Sequence, residues 1–369
     1  MRLNRFATAW FVCVIFILHI AIGGGMAADK LVLVAGGGTR DDKSVPAREA
    51  RLREPFGVAF DRTGNVYICE MAAGERIRKI DRHGLLSTIA GTGEKGGSGD
   101  GGPALLATFN GVHNLAAAPN GDLWLADTWN HRVRKIEAGT GFITTVAGTG
   151  TKGFDGDNGP ATAAQLGGIY CVTLNPTGRR LYLADLHNYR IRYLDLKRGT
   201  IHTLAGNGEK GIPRDGAPAI LSPLTDPRAV AEDRQGNVYI LERGGHALRV
   251  VKSDGTIWTV VNARGVKGNS GDGGPAREAT LNGPKHLCID PENNVVIADA
   301  ENHLIRKYRP REEVIVRVAG CGEQGKAGLE GPPERAQLNR PHGVDYSPAG
   351  ELHIVDSYND RVLKITRSE

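Results

Sequence analysis

Apolar and polar residues alternate along this chain in short runs, and the runs recur. Six of them are apolar and end in an acid: "VYICE" at Glu70, "LWLAD" at Asp127, "LYLAD" at Asp185, "VYILE" at Glu242, "VVIAD" at Asp299 and "LHIVD" at Asp356. The steps between those acids are 57, 58, 57, 57 and 57 residues. Each run is followed by a basic–apolar one ("RIRKI", "RVRKI", "RIRYL", "ALRVV", "LIRKY", "RVLKI"). A short run such as "FGVAFD" or "HGVDYS" precedes it, and a fourth type ends near Ala-Gly, as in "STIAG" and "TTVAG". Period-2 alternation, β-branched content and Gly-Asn or Asn-Gly turns predict strands rather than helices. Four antiparallel strands per repeat, six times over, predict an all-β, six-bladed β-propeller. The last repeat stops after three strands at "VLKITRSE", whereas "KLVLVAG" (residues 30–36) stands alone ahead of the first. That N-terminal strand is expected to complete the last blade and close the ring, removing an exposed sheet edge.

Between repeats the chain writes a glycine-rich phrase, first as "GSGDGGPALLATFNG" and again as "GFDGDNGPATAAQLG" and "NSGDGGPAREATLNG". A single copy would suggest a ligand loop. Recurrence suggests structure, with Asp100, Asp157 and Asp272 capping turns through their own backbone. Calcium is the alternative, although no copy has the ligand spacing of a calcium hand. By the same logic Asp127, Asp185, Asp299 and Asp356, each followed three residues later by Asn, organise strand-connecting turns. Arg78, Arg134, Arg192, Arg249 and Arg306 recur and are expected to pair with acids between blades.

Composition adds the address. "MRLNR", the apolar run "FATAWFVCVIFILHIAI" and small residues at Gly25 and Ala27 read as a secretory signal peptide over residues 1–27, cut after Ala27 or Ala28, with a retained membrane anchor as the alternative. The propeller then occupies 28–369, with no further apolar run able to span a membrane, and export to the periplasm or the extracellular space is expected. The formal charge of +5 falls to +3 once Arg2 and Arg5 are removed. No basic block marks a phosphate-tracking surface, so nucleic acid is not expected as a partner. Cys69, Cys171, Cys288 and Cys321 fall at non-equivalent places in the repeat and read as free, mostly buried thiols.

"GNVYICE", "GDLWLADTWNHRVRKI" and "LYLADLHNYRIRYL" resemble NHL repeats, and the long linkers "AGTGEKGGSGDGGPA" and "AGTGTKGFDGDNGPA" are similar to those of bacterial NHL proteins and the teneurin NHL domain. The resemblance covers the chain from about Lys30 onward. It implies the propeller, but not an activity, because NHL relatives include binding platforms and the peptidyl-hydroxyglycine amidating lyase. Gluconolactonase and strictosidine-synthase propellers, similar in outline, are enzymes.

Function is sought where equivalent positions differ. The residues entering the innermost strands are Phe56, His113, Tyr170, Arg228, Lys285 and His342. One step deeper are Gly57, Asn114, Cys171, Ala229, His286 and Gly343. The turns after the acid-ended strands add Trp129, His187, Glu301 and Tyr358 to the same face. Three readings of this funnel follow. The first is a monomeric binding platform without a cofactor, whose ligand-binding residues are His113, Trp129, Tyr170, His187, Arg228, Lys285, His342 and Tyr358. Its ligand is a protein, peptide or glycan whose anionic group meets Arg228 and Lys285. The second is a metal-dependent lyase or hydrolase with zinc on His113, His286 and His342, resembling the amidating lyase only in its three channel histidines. A gluconolactonase-like calcium site is disfavoured, since no acid is equivalent to Asn114. In the third these are solvated rim side chains.

Overall fold

The computed structural model describes residues 29–366. The expected signal peptide, 1–27, lies outside the described residues. Six antiparallel sheets stand around one axis. Blade 1 runs outward from Pro55–Phe60 through Val66–Glu70 and Arg76–Ile80 to Leu85–Ala90, and blades 2 to 5 repeat it. The blade 6 order is Gly343–Tyr346, Leu352–Asp356, Arg361–Thr366, then Lys30–Gly36. The N-terminal strand pairs with the last one from Lys30 opposite Thr366 to Gly36 opposite Arg361. The expected ring closure is therefore present. Neighbouring innermost strands touch all the way round, including blade 6 against blade 1.

Each acid-ended strand is buried at all five of its final residues. It lies second from the axis, where adjacent blades cover both of its faces, so the strand is a continuous apolar run. The acids end these strands in a polar layer. Asn130 Nδ2 donates to Asp127 at 2.9 Å, and Asn188, Asn302 and Asn359 donate to Asp185, Asp299 and Asp356 at 2.8 Å. The expected Asp–Asn turns are thus formed in four blades.

Two expectations about this layer are corrected. Asp100, Asp157 and Asp272 do not act mainly as turn caps. They receive the buried guanidinium groups of Arg134, Arg192 and Arg306, at 3.0, 3.0 and 2.8 Å from Nε. The pairing is also not between blades. Arg134 meets Asp127 of its own sheet at 3.8 Å and the linker that wraps that sheet, donating to Thr108 O and Ser98 O at 3.0 Å. A bulky cation in a low-dielectric layer must be paired and hydrogen-bonded on every side, and in blades 2, 3 and 5 the folded linker supplies the further oxygens. The linker thus cements a blade, with Asp100 as its polar hook.

Blade 6 replaces this device. Leu33, Leu329 and Leu363 align with Thr145, Asp100 and Arg134, and all three leucines belong to one apolar cluster. Arg361, two residues before Leu363, supplies the guanidinium instead, on Asp356 at 2.7 Å and on the linker carbonyls of Lys326 and Gln337 at 2.9 and 3.3 Å. The three positions change together because a lone buried Asp or Arg would be left unpaired.

The turn residue at the equivalent place in each blade is held at positive φ (Glu75, His131, Tyr189, His246, His303 and Asp360), and in four blades its side chain joins the next blade. Glu75 Oε1 accepts from Gly111 N at 2.9 Å, His246 Nδ1 from Gly283 N at 3.0 Å and His303 Nδ1 from Arg340 N at 3.1 Å, each in the next blade. Asp360 accepts from Glu54 N at 2.9 Å and so ties blade 6 to blade 1. Cys69, Cys171, Cys288 and Cys321 are unpaired thiols, the first three buried, as expected.

Candidate functional site

The residues at the channel mouth are aimed there by irregularities in the innermost strands. Pairing skips Phe56 between Pro55 and Gly57, Tyr170 between Ile169 and Cys171, and Arg228 between Pro227 and Ala229. In blade 2 it skips His113 and Asn114. A bulge leaves the extra residue unpaired and re-aims its side chain, here toward the axis.

The mouth is not an open, solvated funnel. Phe56, His113, Arg228 and His342 are buried, at 5, 7, 5 and 8% exposure. Phe56 stacks on His342 with centroids 4.1 Å apart and meets His113 edge-on at 5.6 Å. His113 packs on Tyr170 at 4.4 Å and on Trp129 at 5.3 Å, Tyr170 on His187 at 5.6 Å, and His342 on Tyr358 at 5.8 Å. The mouth side chains therefore interlock as a plug. Trp129 and Tyr358, 38 and 52% exposed, and His187 stand out on its rim. Lys95 lies over Trp129 and Arg340 over Tyr358.

Charge in the plug is one-sided. Arg228 lies over the Tyr170 ring at 4.4 Å and donates from Nη1 to Tyr170 O at 3.2 Å. Among the described residues no carboxylate pairs with it. Burial lowers its guanidinium to about 10, with Arg243 acting in the same direction. Lys285, lowered first by burial and then by Arg228, is held by Glu301 at 3.2 Å, and Glu301 also binds Arg340 at 2.9 Å. Burial and Arg228 also push His113 and His342 well below the usual imidazole range. Both are neutral near pH 7, which suits a site already cationic.

The three histidines proposed as zinc ligands each have a separate partner. His113 Nδ1 lies 2.9 Å from Gly111 O, and His342 Nδ1 lies 2.8 Å from Arg340 O. His286 sits one tier deeper, where Asn114 Nδ2 donates to its Nε2 at 3.0 Å and its Nδ1 faces Val344 O at 3.2 Å. Among the described residues no group of three or more His, Cys, Asp or Glu is arranged to hold a metal. Asn114 Oδ1 accepts from Val172 N at 2.9 Å, so one side chain fastens blades 2, 3 and 5 across the axis.

An acid does reach the channel, one tier below the level searched in the sequence. Asp345 aligns with Ala59, Ala116, Thr173, Ala231 and Cys288, and all six line a cavity of about 220 Å³ opening on the opposite face. The signal was legible in "HGVDYS", where a carboxyl stands at an otherwise small, neutral position. It was missed because only the equivalents of Asn114 were compared.

The comparisons agree with this architecture. Residues 109–136 and 281–308 match the NHL repeat. NHL repeat-containing protein 2 of Homo sapiens is 25% identical over 285 residues, covering 70% of this chain and 39% of the relative. Teneurin-1 of Gallus gallus is 29% identical over 250 residues, covering 60% of this chain and 9% of the relative. The chain is an NHL repeat-containing protein. It spans well under half the length of these curated relatives. Among solved structures, an auxiliary nutrient binding protein from Bacteroides ovatus superposes on the NHL ring with a TM-score of 0.67 at 16% identity, over 93% of this chain and 77% of that one. A gluconolactonase from Xanthomonas campestris does so with a TM-score of 0.57 at 10% identity, over 94 and 92%. At such identities these likenesses show the fold alone.

Proposed function

We propose that this NHL propeller is an exported binding platform whose ligand, a protein, peptide or glycan, presents an anionic group to the plugged channel mouth. The observation that carries the reading is Arg228, a buried guanidinium at the axis with no carboxylate partner among the described residues. A buried unpaired charge is costly, and structures that keep one at a surface opening gain most from an incoming counter-charge. Lys285 adds a second cation from the next blade, while Trp129 and Tyr358 offer exposed rings elsewhere on the rim. Aromatic rims of this kind suit the apolar face of a sugar or a peptide side chain. The likeness to a nutrient binding protein is compatible with a ligand-binding role. Export rests on the N-terminal pattern of residues 1–27. The metal-dependent alternative loses support because His286 has both ring nitrogens engaged and no three ligating side chains converge among the described residues.

The test is a thermal-shift screen of uronic-acid and sulfated oligosaccharides and of acidic, aromatic peptides, followed by titration of any hit. Replacing both Arg228→Met and Lys285→Ala is expected to weaken a true ligand at least a hundredfold. A hit that binds parent and double variant equally places the site elsewhere. Zinc recovered in stoichiometric amount with the parent would favour the enzyme instead.

A further inference from the structure

The far end of the channel has the opposite polarity. Ala59, Ala116, Thr173, Ala231 and Cys288 form five-sixths of its third tier, and their small side chains leave the cavity open. The sixth member, Asp345, accepts the N–H of Tyr346 at 2.8 Å. The ionisable side chains lining the cavity are Asp345, Glu232, His286 and Cys288, and no lysine or arginine is among them. His286, facing from the tier above, is lowered to about 4 by burial and is neutral. Cys288, beside Asp345, is raised well above the ordinary thiol range by burial and stays protonated. Glu232 accepts the hydroxyl of Tyr182. Arg180, outside the cavity, acts on Glu232, so among the described residues the lining carboxyl without a counter-cation is Asp345.

From this geometry we infer that the lower cavity is a second binding site, which takes an alkylammonium group against the Asp345 carboxylate. An ionised carboxyl in such an enclosure is strongly disfavoured unless a cation joins it. Calcium would need about six to eight oxygen ligands and zinc about four nitrogen, sulfur or oxygen ligands, and no cluster of three ligating side chains is present among the described residues. An ammonium needs one carboxylate and a few further acceptors, which the Thr173 hydroxyl and the Glu232 carboxyl in the lining provide. Val58, Leu174 and Ile289 supply apolar wall for a short aliphatic chain. The volume of about 220 Å³ lies below the roughly 300–1,000 Å³ of drug-sized sites, so the guest is a small amine. Burial raises Asp345 to about 7, so the site fills at neutral to alkaline pH and empties in acid.

The experiment is titration calorimetry of the purified protein with n-butylammonium chloride at pH 8 and pH 5.5, with n-butanol as the neutral isostere. Saturable binding is expected at pH 8, at least tenfold tighter than at pH 5.5 and than n-butanol. Asp345→Asn keeps the shape and the acceptor for Tyr346, and is expected to weaken butylammonium at least tenfold. The inference is overturned by absence of saturable binding at pH 8, by equal affinity for n-butanol, or by an Asp345→Asn variant that binds as the parent does.

Discussion

Arg228 meets Tyr170 twice: the guanidinium lies 4.4 Å from the ring centroid and donates to the Tyr170 carbonyl at 3.2 Å. A ring face and a neutral carbonyl orient a cation without neutralising it. Arg228→Met is therefore expected to leave the melting temperature unchanged or raise it by a few degrees, because it exchanges an unpaired buried charge for an apolar chain of similar length. Calorimetric scanning checks this. A drop of several degrees would mean that the guanidinium stabilises the fold and is not held in reserve for a ligand.

Asp157 receives Arg192 at Nε and Nη2, at 3.0 and 2.6 Å, as well as the hydroxyl of Thr203. Arg192 is fully buried, and its remaining carboxylate, Asp185, is 3.6 Å away. Asp157→Ala should cost about 3–5 kcal/mol, the range for breaking a buried pair, rather than the ~1 kcal/mol of a lost turn cap. Denaturant unfolding distinguishes the two. Removing Leu329 from the corresponding place in blade 6 should act as a cavity mutation only, with no dependence on salt.

The pH dependence of stability should carry a signature of Asp345. Its carboxyl is raised from 3.8 to about 7 in the fold. Between those values the native state binds more protons than the unfolded chain, so this group lowers stability as pH rises from 4 to 7. Asp345→Asn removes that loss: it should match the parent near pH 4 and exceed it near pH 8, by up to about 4 kcal/mol. Urea midpoints at the two pH values provide the check, and a gain of equal size at both would show that the carboxyl does not titrate in this way.

Deleting residues 29–36 removes the outer strand of blade 6, which pairs with Arg361–Thr366 along its length. The exposed edge and the loss of Leu31 and Leu33 from the core should abolish cooperative unfolding or cause aggregation. Scattering and size-exclusion chromatography report the outcome. A monomer with the parent transition would refute closure as a source of stability.

Blade number, strand order and the closing strand were legible in the sequence, because each depends on local alternation repeated at a constant step. The Asp–Asn turns were legible too, since both partners lie within one turn of the chain. Arg134 with Asp100 was not, since the two are 34 residues apart and meet only when the linker folds back on its sheet. The same holds for the leucine trio of blade 6, whose members come from both ends of the chain. That the mouth side chains interlock was not legible, because alignment gives the level of a residue on the axis and not the direction in which it packs. Thus the repeat period by itself determined the ring, through short-range strand physics that every blade obeys. Only the tertiary structure decided that one mouth is a plug with an unneutralised arginine and the other a cavity with an uncompensated carboxyl, because the surroundings of Arg228 and Asp345 are supplied by neighbouring blades distant in sequence.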